Sequence, residues 1–246
     1  RNRKKAIQAL EGRLYVEYEV GGDDKTTTTF EIGSVHVIPE VVGGIIATRN
    51  EEKSLKEEDF FMVSLGYGTF EACLSRTSGV VQRTLVSTRG IRYAIDAAME
   101  ELQKEYYLDM RTEHQFDASF QRGSMVIERR KRDLTGVRQD ALKQYYEEVI
   151  SPQLREAWAD DDFARAGSLI LAGGGTQYDV LVDCFDNEFG DILDVRVVNE
   201  PMLAASKGYA LNSYHVSDKR ESSVGLDIGN AHTVVCHFDS SDEGMY

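Results

Sequence analysis

Twice in this chain an apolar strand runs into a polar residue, one apolar residue, a glycine turn and a threonine-bearing return strand. Val63–Phe70 reads VSLGYGTF, and Leu226–Thr233 reads LDIGNAHT. Glycine is required where a backbone must bend into positive φ or come close to another group, so each hairpin offers backbone N–H groups at its tip. A third unit has related logic. The apolar run Ser168–Ala172 enters Gly173, Gly174 and Gly175 and then a helix-patterned stretch, which places a bare backbone at a helix start. One glycine turn alone ends many ordinary strands. Two such hairpins and a strand–glycine–helix unit in one chain are much harder to obtain by chance, and together they would grip phosphate oxygens from two sides.

The rest of the composition narrows the class. A length of 246 residues with 41% hydrophobic and 28% charged residues suits one large or two small folded domains. The net charge of −14 argues against general binding of the DNA backbone, which needs Lys and Arg. Contact with DNA would go through a basic adaptor protein. Positive charge gathers only locally, at Arg1, Arg3, Lys4 and Lys5 and at Arg129, Arg130, Lys131 and Arg132, where the plain reading is a solvated surface. Cys73, Cys184 and Cys236 have no metal-like spacing and read as core residues of a reducing, cytoplasmic setting. No apolar run approaches the roughly 20 residues that span a bilayer, so no membrane role is expected. No signal peptide is visible, and the start at Arg1 suggests a fragment, a trimmed product or an edited chain.

Period-2 alternation predicts strands at Arg13–Tyr18, Thr27–Ile32 and Val35–Ile38, then a small apolar helix over Val41–Ala47 loosened by Gly43 and Gly44. Glu51–Asp59 reads as a charged loop, Phe60–Leu65 and Thr69–Leu74 as a hairpin, and Val80–Val86 as a third strand of that meander. Arg89–Leu108 has helical spacing, with Thr88 as its N-cap. Val137–Trp158 is helical too, with a break or kink expected at Pro152. Gln177–Phe189 is a helix and Asp194–Val198 a strand. Pro201 then opens a helix ending near Gly208, and Tyr214–Ser222 is a polar linker.

These residues resemble the actin-like ATPase superfamily, which includes actin, sugar kinases and heat-shock chaperone ATPases. Asp227, Ile228, Gly229 and Asn230 match its first phosphate loop, Ser64–Thr69 its second, and Leu171–Gly175 its adenosine loop. Within it the chain looks most like plasmid-segregation actins of the ParM/StbA type, through TFEIGSVHVIPEVVGGI and VVNEPMLAASKGYAL. The resemblance covers nearly all of Arg1–Tyr214 and the tail hairpin. It implies an α/β, ribonuclease H-like fold with mixed sheets flanked by helices, and with the first phosphate hairpin moved to the C-terminus. In the family that hairpin comes first and about a hundred residues follow it, so this chain looks circularly permuted or truncated. The implied organisation is part of subdomain I over 1–59, subdomain II over 60–212, a linker over 213–222, and over 223–246 the hairpin that completes subdomain I.

The function implied is an ATP-binding (or GTP-binding), Mg²⁺-dependent protein that assembles into filaments, with hydrolysis controlling their stability and an adaptor linking them to DNA. Asp227 would hold metal-bound water, and Glu40, after Pro39, would orient the attacking water. The nucleotide would lie against Gly229, Asn230, Ser64, Gly66, Gly68, Thr69, Gly173, Gly174 and Gly175. Glu40 also reads as a plain loop acid and Glu71 as a sheet-edge carboxylate. The chain departs from the family pattern at Ser64, where an Asp is usual. That points to weakened hydrolysis, or to a degenerate partner protein that binds nucleotide poorly. On this reading Ser64→Asp would raise hydrolysis. A small-molecule kinase is a further reading, without a sugar-binding pattern to support it.

Overall fold

The computed structural model describes residues 2–19, 25–106, 113–229 and 232–238, which fall into two units, 1–39 and 40–246. In the first, helix α1 (Asn2–Leu10) precedes an antiparallel hairpin of β1 (Gly12–Glu19) and β2 (Lys25–Ile32), in register from Gly12↔Ile32 to Glu19↔Lys25. The strand expected at Val35–Ile38 does not form. Its first amide instead donates to the Glu11 carboxylate at 3.2 Å, and no strand pairs with it among the described residues.

The second unit is built on α2 (Glu40–Glu51), β3 (Asp59–Leu65), β4 (Thr69–Arg76), β5 (Gly79–Val80), β6 (Val86–Arg89) and α3 (Arg92–Tyr106). Then come α4 (Glu113–Arg122), β7 (Ser124–Ile127), β8 (Arg130–Asp133), α5 (Thr135–Tyr145), a π turn over Tyr146–Ile150, α6 (Ser151–Ala157) and α7 (Asp160–Phe163). The chain continues through β9 (Ala166–Ala172), α8 (Asp179–Phe189), β10 (Asp194–Val197), α9 (Ala204–Ser217), β11 (Val224–Ile228) and β12 (Thr233–His237).

The main sheet runs β10–β9–β3–β4, with β5 and β6 sharing the far edge of β4. β10, β9 and β3 are parallel and β4 is antiparallel. Strand β3, DFFMVSL, is buried along nearly its whole length because both its faces are covered. On one side Phe61, Val63 and Leu65 pack with Ile95, Leu102, Tyr145, Leu169 and Phe185 from α3, α5, β9 and α8. On the other Phe60 and Met62 pack with Val41, Ile45 and Ala204 from α2 and α9. β11 and β12 form a separate hairpin laid on α9.

Several helix boundaries differ from the sequence expectation for identifiable reasons. Pro152 does not break its helix. It lacks an N–H and crowds the carbonyl four residues back, and the preceding turn widens into a π turn that absorbs both effects. The expected third strand, Val80–Val86, splits into β5, a 3₁₀ turn at Gln82–Thr84 and β6. α9 does not stop at Gly208 but runs on through Tyr214–Ser217, the first part of the expected linker. An αL residue, Asp218, closes it. Gly208 is in the helix because α2 crosses there: a Cβ on it would lie 1.8 Å from the Gly43 carbonyl oxygen.

Candidate functional site

The parallel strands β3 and β9 end side by side, with Ser64 opposite Ala172, so their loops emerge together at one end of the sheet. The loop after β3 is held from behind. The amides of Gly90, Ile91 and Arg92 donate to the carbonyls of Gly68, Gly66 and Tyr67 at 3.0–3.1 Å. These bonds occupy the two amides leading into α3 and its first amide, and Thr88, the expected cap, sits in β6 instead. The loop after β9 turns at Gly173, whose φ is +88° and whose Cβ would lie 2.6 Å from the Leu65 carbonyl oxygen. Only glycine satisfies both demands.

These two loops wall a cleft of about 490 Å³ together with Glu40 at the start of α2, Pro201–Leu203, and Asp227, Gly229 and Thr233 of the tail hairpin. Ser64, Gly66, Gly68, Thr69, Gly173 and Gly174 all line it. Gly175 does not: it packs behind the loop, where a Cβ would lie 2.6 Å from the Leu65 Cβ. Asn230 lies outside the described residues. The sequence reading did not single out Met62, Met202 or His232 as cleft residues. Their apolar or lone-histidine character carries no motif, and only the tertiary fold brings them in.

The acids of the cleft are organised. Ser64, 3% exposed, donates its hydroxyl to Glu40 Oε1 at 2.8 Å. Glu71, across the sheet from Ser64, accepts the Val41 amide at 3.0 Å and so ties the first turn of α2 to β4. Burial pushes the Glu40 carboxyl above its ordinary pKa, and the charges of Asp227 and Glu71 add to this against the opposing Ser64 hydrogen bond. Burial likewise raises Asp227. The Tyr209 phenol of α9 is also raised, by burial first and then by Asp227, Glu40 and Glu71, so three carboxylates act on this corner.

Among the described residues no group of three or more His, Cys, Asp or Glu forms a direct metal cage. The residues present fit a divalent cation: Asp227 lines the cleft half-buried, and it is the carboxylate that would hold such a cation beside a ligand's phosphates. Half-buried carboxylates without a countercharge are suited to such a cation. Among the described residues no helix is long and apolar enough to cross a membrane.

No protein-family model and no curated protein matches the chain. Solved structures do. The archaeal actin homolog Ta0583 aligns with a TM-score of 0.68 at 19% identity, covering 84% of this chain and 63% of that one. A non-polymerisable quadruple mutant of pCBH ParM aligns with 0.65 at 18% identity, covering 77% and 58%. Actin-like protein Alp7A aligns with 0.62 at 17% identity, covering 84% and 59%. The chain thus spans about three-fifths of the length of the solved structures it matches. Mixed sheet, flanking helices and converging glycine loops together give this chain the fold of the actin-like ATPases.

Proposed function

We propose that the cleft binds a nucleoside triphosphate with Mg²⁺ and that the protein is an actin-like, filament-forming ATPase of the plasmid-segregation type. One observation carries this reading. The hairpin turns at Gly66–Thr69 and Asp227–Gly229, the Gly173–Gly174 loop and Glu40, distant in sequence, wall one cleft. Its volume is in the range of small-molecule sites. The Ta0583 structure includes a complex with ADP, and a 15-stranded ParM filament is known from Clostridium botulinum. The first supports nucleotide binding here and the second supports self-association.

In this reading the hairpin backbones bind phosphate, and Gly173 and Gly174 leave room for the nucleoside. Asp227 would hold the cation through water, Ser64 orients Glu40, and Glu40 would take a proton from the attacking water. The cation would neutralise charge on the phosphates. A cytoplasmic role in DNA segregation through an adaptor follows from the same reading. The position of the Asp227 hairpin after the other loops fits a permuted or divided gene product.

Ser64 itself favours a second reading, in which the chain is a scaffold or partner protein that binds nucleotide weakly and does not hydrolyse it. Titrating a fluorescent ATP analogue with Mg²⁺ tests binding, and phosphate release separates the two readings. Pelleting with Mg-ATP, Mg-GTP and no nucleotide tests assembly. A protein that binds neither nucleotide ends the proposal.

A further inference from the structure

The β7–β8 hairpin carries a compact positive patch on a chain of net charge −14. Its turn is at Glu128 and Arg129, both at positive φ, and Arg129, Arg130 and Lys131 are exposed. None of the three pairs with a carboxylate among the described residues. Their neighbours are engaged elsewhere. Arg132 lies 5.4 Å over the Tyr106 ring, and Asp133 accepts from the Thr135 amide and hydroxyl. Beside the basic residues Val126 is 69% exposed.

A second surface has the opposite character. From the last turn of α8 to β10, Ile192 is 59% exposed, with Asp186 and Asp191 exposed around it, while the Asp194 side chain, 72% exposed, pairs with Arg196 at 3.4 Å. Asp194 pairs with Ser168, at the end of the sheet away from the cleft loops.

The helical run from Thr135 to Ala157 fixes how these two patches lie. Tyr145 in its middle donates to the Arg89 carbonyl, level with the cleft end of the sheet. At its far end Trp158 packs tilted against Phe61, with ring centroids 4.2 Å apart, and Arg155 pairs with Glu188 at the end of α8. The hairpin joins the other end of this run, beyond the cleft. The run has 11, 5 and 7 residues in its three segments, which at 1.5 Å per residue separates its ends by roughly 35 Å. The basic hairpin and the acidic loop therefore occupy opposite ends of this unit.

We propose that the β7–β8 hairpin of one copy docks on the Asp186–Asp194 loop of the next. Val126 would meet Ile192, and Arg129, Arg130 and Lys131 would meet Asp186 and Asp191, next to the Asp194–Arg196 pair. Because the two surfaces differ and face opposite ways, the contact is heterologous and repeats without closing. The inference rests on the filament reading above and gives it a specific interface.

Reciprocal charge reversal tests it. One variant is Arg129→Glu/Arg130→Glu/Lys131→Glu, the other Asp186→Lys/Asp191→Lys. Each is pelleted with Mg-ATP alone and then in a 1:1 mixture. Alone, each variant opposes like charges at every contact, and its critical concentration should rise about tenfold or more. In the mixture every contact again joins opposite charges, so assembly should return to within about threefold of wild type. Wild-type-like assembly by either variant, or a mixture that stays soluble, overturns this interface and leaves the filament reading standing. A wild-type protein that never pellets overturns both. Retention of duplex DNA that is lost on hairpin reversal would make the hairpin a nucleic-acid surface and overturn the proposal too.

Discussion

At the scale of single residues the Ser64–Glu40 hydrogen bond decides two signs. Glu40 is held above its ordinary pKa chiefly by burial, so the folded state binds its proton more tightly than the unfolded chain does. Its contribution to stability is therefore fully present below the unfolded value, 4.5, and is lost as pH rises through the raised folded value. Glu40→Gln keeps an acceptor for Ser64 and removes the charge. At neutral pH we expect it to raise the melting temperature by about 2–4 °C, for about 1 kcal/mol, while lowering any phosphate release by about 100-fold or more. For wild type, release should decline with acid at a pH above that of an ordinary carboxylate. Thermal scans and pH–rate profiles read both effects. Sequence alone suggests that Ser64→Asp would raise hydrolysis. The geometry gives the opposite sign, because the new carboxylate would replace the hydroxyl donating to Glu40 in a site that already holds Asp227 and Glu71. The expected loss is about 1–3 kcal/mol of stability, with slower phosphate release. A variant that is both more stable and faster would show that Ser64 is not the group orienting Glu40.

Among elements, the crossing of α2 and α9 connects the core to the chemistry. Gly43 and Gly208 let the two backbones touch, and Gly225 does the same for β11 on α9, where a Cβ would lie 1.9 Å from the Ser206 carbonyl oxygen. α2 begins at Glu40 and β11 carries Asp227, so the spacing of these acids is set by glycine-sized gaps. Gly208→Ala should cost about 1–3 kcal/mol by overpacking and should weaken nucleotide binding as the acids move apart. Unchanged affinity in a fluorescence titration would show that the crossing does not set the site. These gaps also mark where sequence reading stopped. Alternation and apolar runs gave β1, β3, β4 and β9 to within a residue or two, and the glycine loops were legible because their chemistry demands glycine. The same residue misled elsewhere. Gly43 and Gly44 read as loosening a short helix and Gly208 as ending one, whereas all three lie inside full helices and serve close packing. Propensity cannot distinguish a breaker from a contact when the partner is about 165 residues away. The Glu40–Ser64 bond was invisible for the same reason: a serine in a strand and an acid after a proline have no local link.

Over the whole molecule, the cleft gathers residues from Glu40 to Val234, and the tail hairpin reaches it mainly by resting on α9. A ligand that touches both glycine hairpins would therefore add a connection the polypeptide itself makes only indirectly. Because such a ligand binds the folded chain and not the unfolded one, its affinity appears as stability. At about 100 times its dissociation constant, Mg-ATP should add about 2.7 kcal/mol, or roughly 5–10 °C in melting temperature for a chain of this size. A chelator should remove most of that gain. Without a divalent cation the ligand's phosphates would face Glu40 and Asp227 uncompensated, in a chain whose net charge is already −14. Hydrogen exchange locates the effect. Amides of Val224–Ile228 and Thr233–His237 should slow with Mg-ATP more than those of β3, which is buried regardless of ligand. A melting shift without slower exchange in the tail hairpin would mean that nucleotide binds to the β3 and β9 loops alone, and that Asp227 takes no part in holding the cation.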